Sequence, residues 1–302
     1  MSRAILKNVG KAGTIVWRHL PQPVRDGPPG QLVGNWIHAL SRRFSARSQS
    51  ESTWFLRNQP LLSTILGLIN QSFPSGSRVR ICSMACSSGA ELYSILWLIR
   101  KTRPDLELVP LGVDLSKSAL ERAQQGCYLR GDAELRGSIS DEILSDLFER
   151  NGQRLRVKNW VGSGTRWTHG DACDPGIQST FGLHDVVLAN NFLIHMQPSR
   201  ASEALVNVAQ LVKPGGILVC RGVDLDVRQK VTSRLHLEPL PLRIEAIHNS
   251  ELELDARHRW PWRYDGLEPL NRNRKDWIQR YAAVFRVPMP TDGAPVEAPE
   301  KT

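Results

Sequence analysis

The spacing of apolar residues changes at Val79. Downstream of it, short apolar runs alternate with stretches of helical period. The pattern predicts strands at 79–84, 108–113, 185–190 and 216–221, with helices at 90–102, 116–125, near 140–150 and at 199–212. Pro214-Gly215-Gly216 reads as a turn before the last of these strands. Strands that alternate with helices in this way predict an α/β fold, a mostly parallel sheet with helices on both faces. Two helices are predicted upstream. One, about 31–44, sets Leu32, Trp36, Ile37 and Leu40 along one side. The other, about 60–73, opens on Pro60 and carries Leu61, Leu62, Ile65, Leu66 and Ile69 on its apolar face. Residues 154–170 break the rhythm and read as a small antiparallel ribbon. Residues 223–280 are rich in charge and aromatics and give no clear period. Residues 281–287 alternate well enough for a final edge strand.

Composition divides the chain further. Residues 1–50 carry Arg3, Lys7, Lys11, Arg18, Arg25, Arg42, Arg43 and Arg47 against Asp26, and prolines interrupt them. They read as a basic arm, solvated or in contact with an anionic partner. Residues 51–287 read as the folded domain and 288–302 as a disordered, proline-rich tail. The hydrophobic fraction of 41% supports a buried core. No apolar run reaches the ~18 residues of a membrane span, and residues 1–20 hold no secretory signal core. Five cysteines with no C-x-x-C pair argue against a disulfide framework or a metal site and favour a reducing cytoplasm.

The chemistry gathers where predicted strands end. After the first, the run 83–94 (SMACSSGAELYS) turns on small residues into a helix bearing Glu91. At such a junction an open α/β sheet receives a nucleotide-like ligand. No phosphate-cradling glycine loop is present. S-adenosylmethionine, with ribose hydroxyls, an adenine, an amino-acid end and no phosphate, does not require such a loop, and acidic residues at strand ends suit its ribose. Asp114 ends the second strand, where a carboxylate can accept from a ribose diol, or else cap the next helix. Glu91 faces the cofactor's ammonium or a helix N-terminus. Asp171-Ala172 sits at the adenine edge or in a plain turn. Asn190-Asn191 and, four residues on, His195 follow the third strong strand.

Together these segments resemble the CheR-type methyltransferases, which methylate glutamate side chains of chemotaxis receptors. The likeness covers roughly residues 51–221. It lies in Thr53-Trp54-Phe55-Leu56-Arg57, in the glycine-poor turn 83–94, in Gly112-Val113-Asp114 with Leu120 to Tyr128, and in the run 185–196 (DVVLANNFLIHM). It implies a Rossmann-like class I methyltransferase sheet with a small β-subdomain. It also implies cofactor contacts at Thr53, Arg57, Glu91, Asp114, Asp171, Ala172, Asn190 and Asn191, and Ser83 and Gly89 join them through the turn. The chain departs from the family on the acceptor side. Ala90-Glu91 stands for a paired Glu-Glu, Asn190-Asn191 for Arg-Asn, and His195 for a tyrosine.

The expectation is therefore a cytoplasmic S-adenosylmethionine-dependent O-methyltransferase with no membrane span. Its acceptor is a carboxylate on a protein or a small molecule. Arg57 positions the acceptor or binds the cofactor carboxylate. His195 acts as general base for a hydroxyl or amine, as an orienting group, or as packing. The alternatives are a cofactor-binding scaffold without turnover and, least favoured, a nucleic-acid methyltransferase. Residues 223–280, with Trp260, Trp262 and Tyr264 as apolar walls, either complete the acceptor pocket or only fill the core. The acceptor's identity and the oligomeric state are not legible.

Overall fold

The computed structural model describes residues 17, 19–48, 52–137, 139–250 and 259–290. Its central sheet has seven strands in the order β6-β2-β1-β7-β8-β10-β9. These are β1 (Arg78–Met84), β2 (Glu107–Asp114), β6 (Arg166–His169), β7 (His184–Asn190), β8 (Val212–Arg221), β9 (Glu238–Pro239) and β10 (Val284–Arg286). Strands β6, β2, β1, β7 and β8 pair in parallel, and β10 runs antiparallel to β8 and β9. Chain order reverses between β1 and β7. A crevice opens there beyond the carboxyl ends of the strands.

Each inner strand is buried on both faces. Side chains alternate across a strand, so one face of β1 and β7 sends Ile81, Val186 and Leu188 into one core, while Cys82, Val187 and Ala189 enter another. The first core lies under α3 (Gln59–Ser72) and α4 (Ala90–Thr102), and the second under α9 (Pro198–Ala209) and α10 (Leu225–Arg234). Helix α3 starts where predicted because the Asn58 side chain accepts from the Leu61 N–H at 3.1 Å, with Pro60 in the first turn. Helix α5 (Lys117–Gln125) is capped by Ser116 and stopped by Gly126 at φ +58°.

Four expectations change. The small antiparallel sheet is not confined to 154–170. It consists of β3 (Cys127–Leu129), β4 (Phe148–Asn151) and β5 (Arg154–Val157), while Arg166–His169 joins the main sheet. A strand pattern alone does not say which sheet a strand will pair with. Pro214-Gly215-Gly216 lies within β8, at a bulge that shifts its register against β7. Residues 281–287 do supply the final strand, β10 at Val284–Arg286, but not at the sheet edge. Tyr281 ends the short helix α12 (Trp277–Tyr281), and β10 sits between β8 and β9. The basic arm is also partly folded. After the short α1 (Gln22–Asp26), against which Gly30 lies, α2 (Pro28–Phe44) packs on the body through Gly34 and His38. The tail beyond Pro290 lies outside the described residues.

Candidate functional site

The turn after β1 has an unusual backbone. Ala85 and Ser87 adopt left-handed angles, φ +53° and +51°, as does Gly89 at +86°. For non-glycine residues this costs about 1–2 kcal/mol each, so neighbours must hold the turn in place. Cys86 N–H donates to the Val113 carbonyl at 3.0 Å, and Ser87 N–H to Asp114 Oδ2 at 2.7 Å. The Tyr128 hydroxyl donates to the Ser88 carbonyl at 2.5 Å, and Ser88 Oγ to Glu134 Oε1 at 2.9 Å. The turn thus points two consecutive strand ends, β1 and β2, into one cleft.

That cleft is a cavity of about 240 Å³. Asp114 forms part of its wall, with Oδ1 accepting from Ser116 N–H at 2.8 Å and Oδ2 held by Ser87. Each oxygen keeps one lone-pair direction for a ligand. Glu91 is half-buried at the wall. Burial raises its pKa, opposed by a hydrogen bond from Asn190 Nδ2 at 2.9 Å and by the charges of Arg57 and Arg221. Asn190 Oδ1 is buried and has no partner. A carboxylate and an open amide oxygen side by side ask for a cation or a multiple N–H donor. An α-ammonium group meets that demand, and the Asp114 oxygens suit a diol. This set of acceptors therefore fits S-adenosylmethionine.

The opposite wall comes from 52–57. Phe55 anchors this segment in a ring cluster, 5.0 Å from Tyr128 and 4.9 Å from Phe148. Leu56 N–H donates to Ser94 Oγ at 2.9 Å. Thr53 and Arg57 then line the cleft, and the Arg57 guanidinium stacks 3.8 Å over Trp54. Asp171, Ala172, Asn190 and Asn191 line it as well, although Asp171 Oδ1 is engaged by Cys173 N–H at 2.8 Å in a local turn. Two expected residues do not reach the cleft. Ser83 is fully buried in β1, and its hydroxyl has no hydrogen-bond partner among the described residues. Gly89 serves packing, since a Cβ there would lie 2.8 Å from Trp167. Leu115, Phe192 and Met196, which also line the cleft, were missed by the sequence reading. Their signal was adjacency to the predicted strand ends.

A second cavity, of about 370 Å³, adjoins the first, and Ser52, Arg57, Asn191 and His195 border both. Its walls carry Arg42, Arg57, Arg221, Arg228, Arg259 and Arg263 against three acids, Asp224, Asp265 and Glu268. The balance favours an anionic occupant. His38 Nδ1, Asp224 Oδ1 and Arg228 Nε are buried without partners at this lining. One side of the cavity is helix α2 joined to 259–268, with Gly34 against the Trp260 ring and Ser41 Oγ donating to the Trp262 carbonyl at 3.0 Å. Of the three expected aromatic walls only Tyr264 lines the cavity, and Trp260 is buried under α2. His195 stands at the junction with Nδ1 3.3 Å from the Tyr264 hydroxyl. Burial lowers its pKa, and Arg57, Arg47 and Arg259 add to this while Asp265 opposes it.

The His195 turn is clamped by a residue of the basic segment. Arg47 donates to the carbonyls of Ile194 at 3.0 Å and Met196 at 2.7 Å, and pairs with Asp224 at 2.8 Å. Its side chain is 1% exposed. Arg47 and Asp224 are 177 positions apart, so no local pattern could have joined them.

Comparison with known proteins agrees with this geometry. The family described as "CheR methyltransferase, SAM binding domain" matches residues 51–231. The chain is 30% identical over 174 residues to the "Probable biofilm formation methyltransferase WspC" of Pseudomonas aeruginosa, covering 55% of this chain and 40% of that protein. It is 28% identical over 182 residues to a "Chemotaxis protein methyltransferase" of Vibrio parahaemolyticus, covering 58% and 64%. It is also 28% identical over 222 residues to "Chemotaxis protein methyltransferase Cher2" of Pseudomonas putida, covering 70% and 74%. The chain thus spans less than two thirds of the first two relatives.

Proposed function

Because this chain belongs to the CheR methyltransferase family, we propose that it transfers the methyl group of S-adenosylmethionine to a carboxylate oxygen of an anionic acceptor held in the arginine-lined cavity. One observation carries the reading. The cleft lined by Asp114 and Glu91 lies beside the cationic cavity and shares Ser52, Arg57, Asn191 and His195 with it.

When bound, S-adenosylmethionine supplies a methyl carbon on positively charged sulfur, open to in-line displacement. Asp114 would accept from the ribose hydroxyls, and Glu91 with Asn190 would hold the ammonium group. Thr53, Asp171, Ala172 and Asn191 would complete the contacts. Arg57, fixed by Trp54, borders both cavities and orients the acceptor carboxylate. Such an acceptor is already ionised near neutral pH, so alignment and exclusion of water do most of the work, worth about 7–11 kcal/mol in favourable cases. A second reading draws on His195. Its lowered pKa keeps the ring neutral at pH 7, and a neutral imidazole can take a proton from a hydroxyl acceptor.

Calorimetry should detect S-adenosylmethionine binding. With short glutamate-bearing peptides and small dicarboxylates as acceptors, the protein should release S-adenosylhomocysteine. Release only with hydroxyl acceptors, abolished in His195→Phe, selects the second reading. Binding with no release from any acceptor class points to a scaffold without turnover.

A further inference from the structure

Helix α2 is oriented with its apolar face outward. Its inner side is Gly30 against α1, Gly34 against Trp260, and His38, all buried. Its solvent side carries Leu32 (72% exposed), Trp36 (66%), Leu40 and Phe44 (68%), one every fourth residue, with Val33 beside them. Amphipathic helices on globular proteins ordinarily bury that face. The orientation is not loose. A Cβ on Gly34 would lie 2.1 Å from the Trp260 ring, so the helix sits flat on the indole. Ser41 donates to the Trp262 carbonyl, Asn271 Nδ2 donates to Gln31 Oε1 at 3.0 Å, and Arg42 pairs with Asp226. Contacts along the helix thus hold the apolar stripe in the open.

A fixed, exposed apolar stripe marks a binding face. Charge decides what it fits. Helix α2 contains no acidic residue, and Arg43 lies exposed between Leu40 and Phe44. Arg42 and Arg47 are committed to Asp226 and Asp224. By composition, residues 1–50 hold eight basic residues against Asp26, and Arg43 is exposed on the helix itself. Two copies meeting through this face would bring like charges together. A tryptophan, two leucines and a phenylalanine in one line, flanked by basic charge and offering few hydrogen-bonding groups, match an anionic lipid surface. Apolar side chains enter the acyl boundary and arginines meet the headgroups. We propose that α2 docks this protein in the interfacial plane of an anionic membrane without crossing it. The proposal does not depend on the methyl-transfer reading.

The test is co-sedimentation of the full chain with vesicles of phosphatidylcholine alone and of phosphatidylcholine with phosphatidylglycerol. Partition onto the anionic vesicles should be at least about tenfold stronger and should weaken with added salt. The double variant Trp36→Asp, Leu40→Asp should lose it by a similar factor while its circular dichroism stays unchanged, because both side chains are exposed. Equal sedimentation of variant and wild type overturns the proposal, as does absence of binding to the anionic vesicles. A wild-type dimer that the double variant dissociates, with no lipid partition, would show that a second copy covers the stripe instead.

Discussion

At the residue scale the cleft depends on a few polar atoms whose partners are known. Asp114 is the clearest case. Its two oxygens hold the backbone of Ser87 and Ser116, so the same carboxylate shapes the turn and lines the cavity. Asp114→Ala should weaken S-adenosylmethionine binding by about 1–3 kcal/mol, the scale of a lost hydrogen bond to a charged group. Isothermal calorimetry checks this, and an unchanged affinity would remove Asp114 from the cofactor contacts. Much of this scale was legible, because Glu91, Asp114 and Asn190 lie at or just after the ends of strands that read clearly from apolar runs. Ser83 and Gly89 were misplaced for a physical reason. A motif names the residues of a turn, but packing decides which of them face the cavity.

At the element scale, segments distant in sequence complete the site. Arg47 ties the Leu193–His195 turn to Asp224 at the start of α10. Arg47→Ala would leave the Asp224 carboxylate buried without its cation, a loss of about 3–5 kcal/mol by precedent for broken buried pairs. Urea denaturation should report that loss, and hydrogen exchange should quicken at 193–196 more than in β1. Lysine should not restore it, since one ammonium cannot reproduce the fork that serves two carbonyls and a carboxylate. Helix α2 was predicted nearly to its ends, and three of the four residues read as its apolar side, Leu32, Trp36 and Leu40, share the exposed stripe. The direction that side faces could not be read. It follows from Gly34 admitting Trp260, a contact across more than two hundred residues.

At the scale of the whole molecule, buried histidines link stability to pH. Burial lowers the pKa of His38, His184 and His248 to about 4 each. The unfolded chain takes up protons near 6.5 while the folded one does not, so stability is full above that pH and falls as pH drops toward 4. At pH 5 each histidine costs about 2 kcal/mol, as an order of magnitude. Glu91 and Asp224, raised by burial, act in the opposite sense. Urea midpoints should therefore fall between pH 7 and pH 5, and His248→Gln should flatten the dependence by up to one proton. An unchanged slope would mean that His248 already titrates normally in the fold. The sequence alone determined the parallel sheet, its helices, the cleft at the strand ends and the family. Those features come from local period and from short motifs, which act over a few residues. Only the tertiary structure decided which sheet Arg166–His169 joins, which charge meets Asp224, and which way α2 faces. Those outcomes depend on pairings between distant segments, and such pairings are settled by the shape of the packed core.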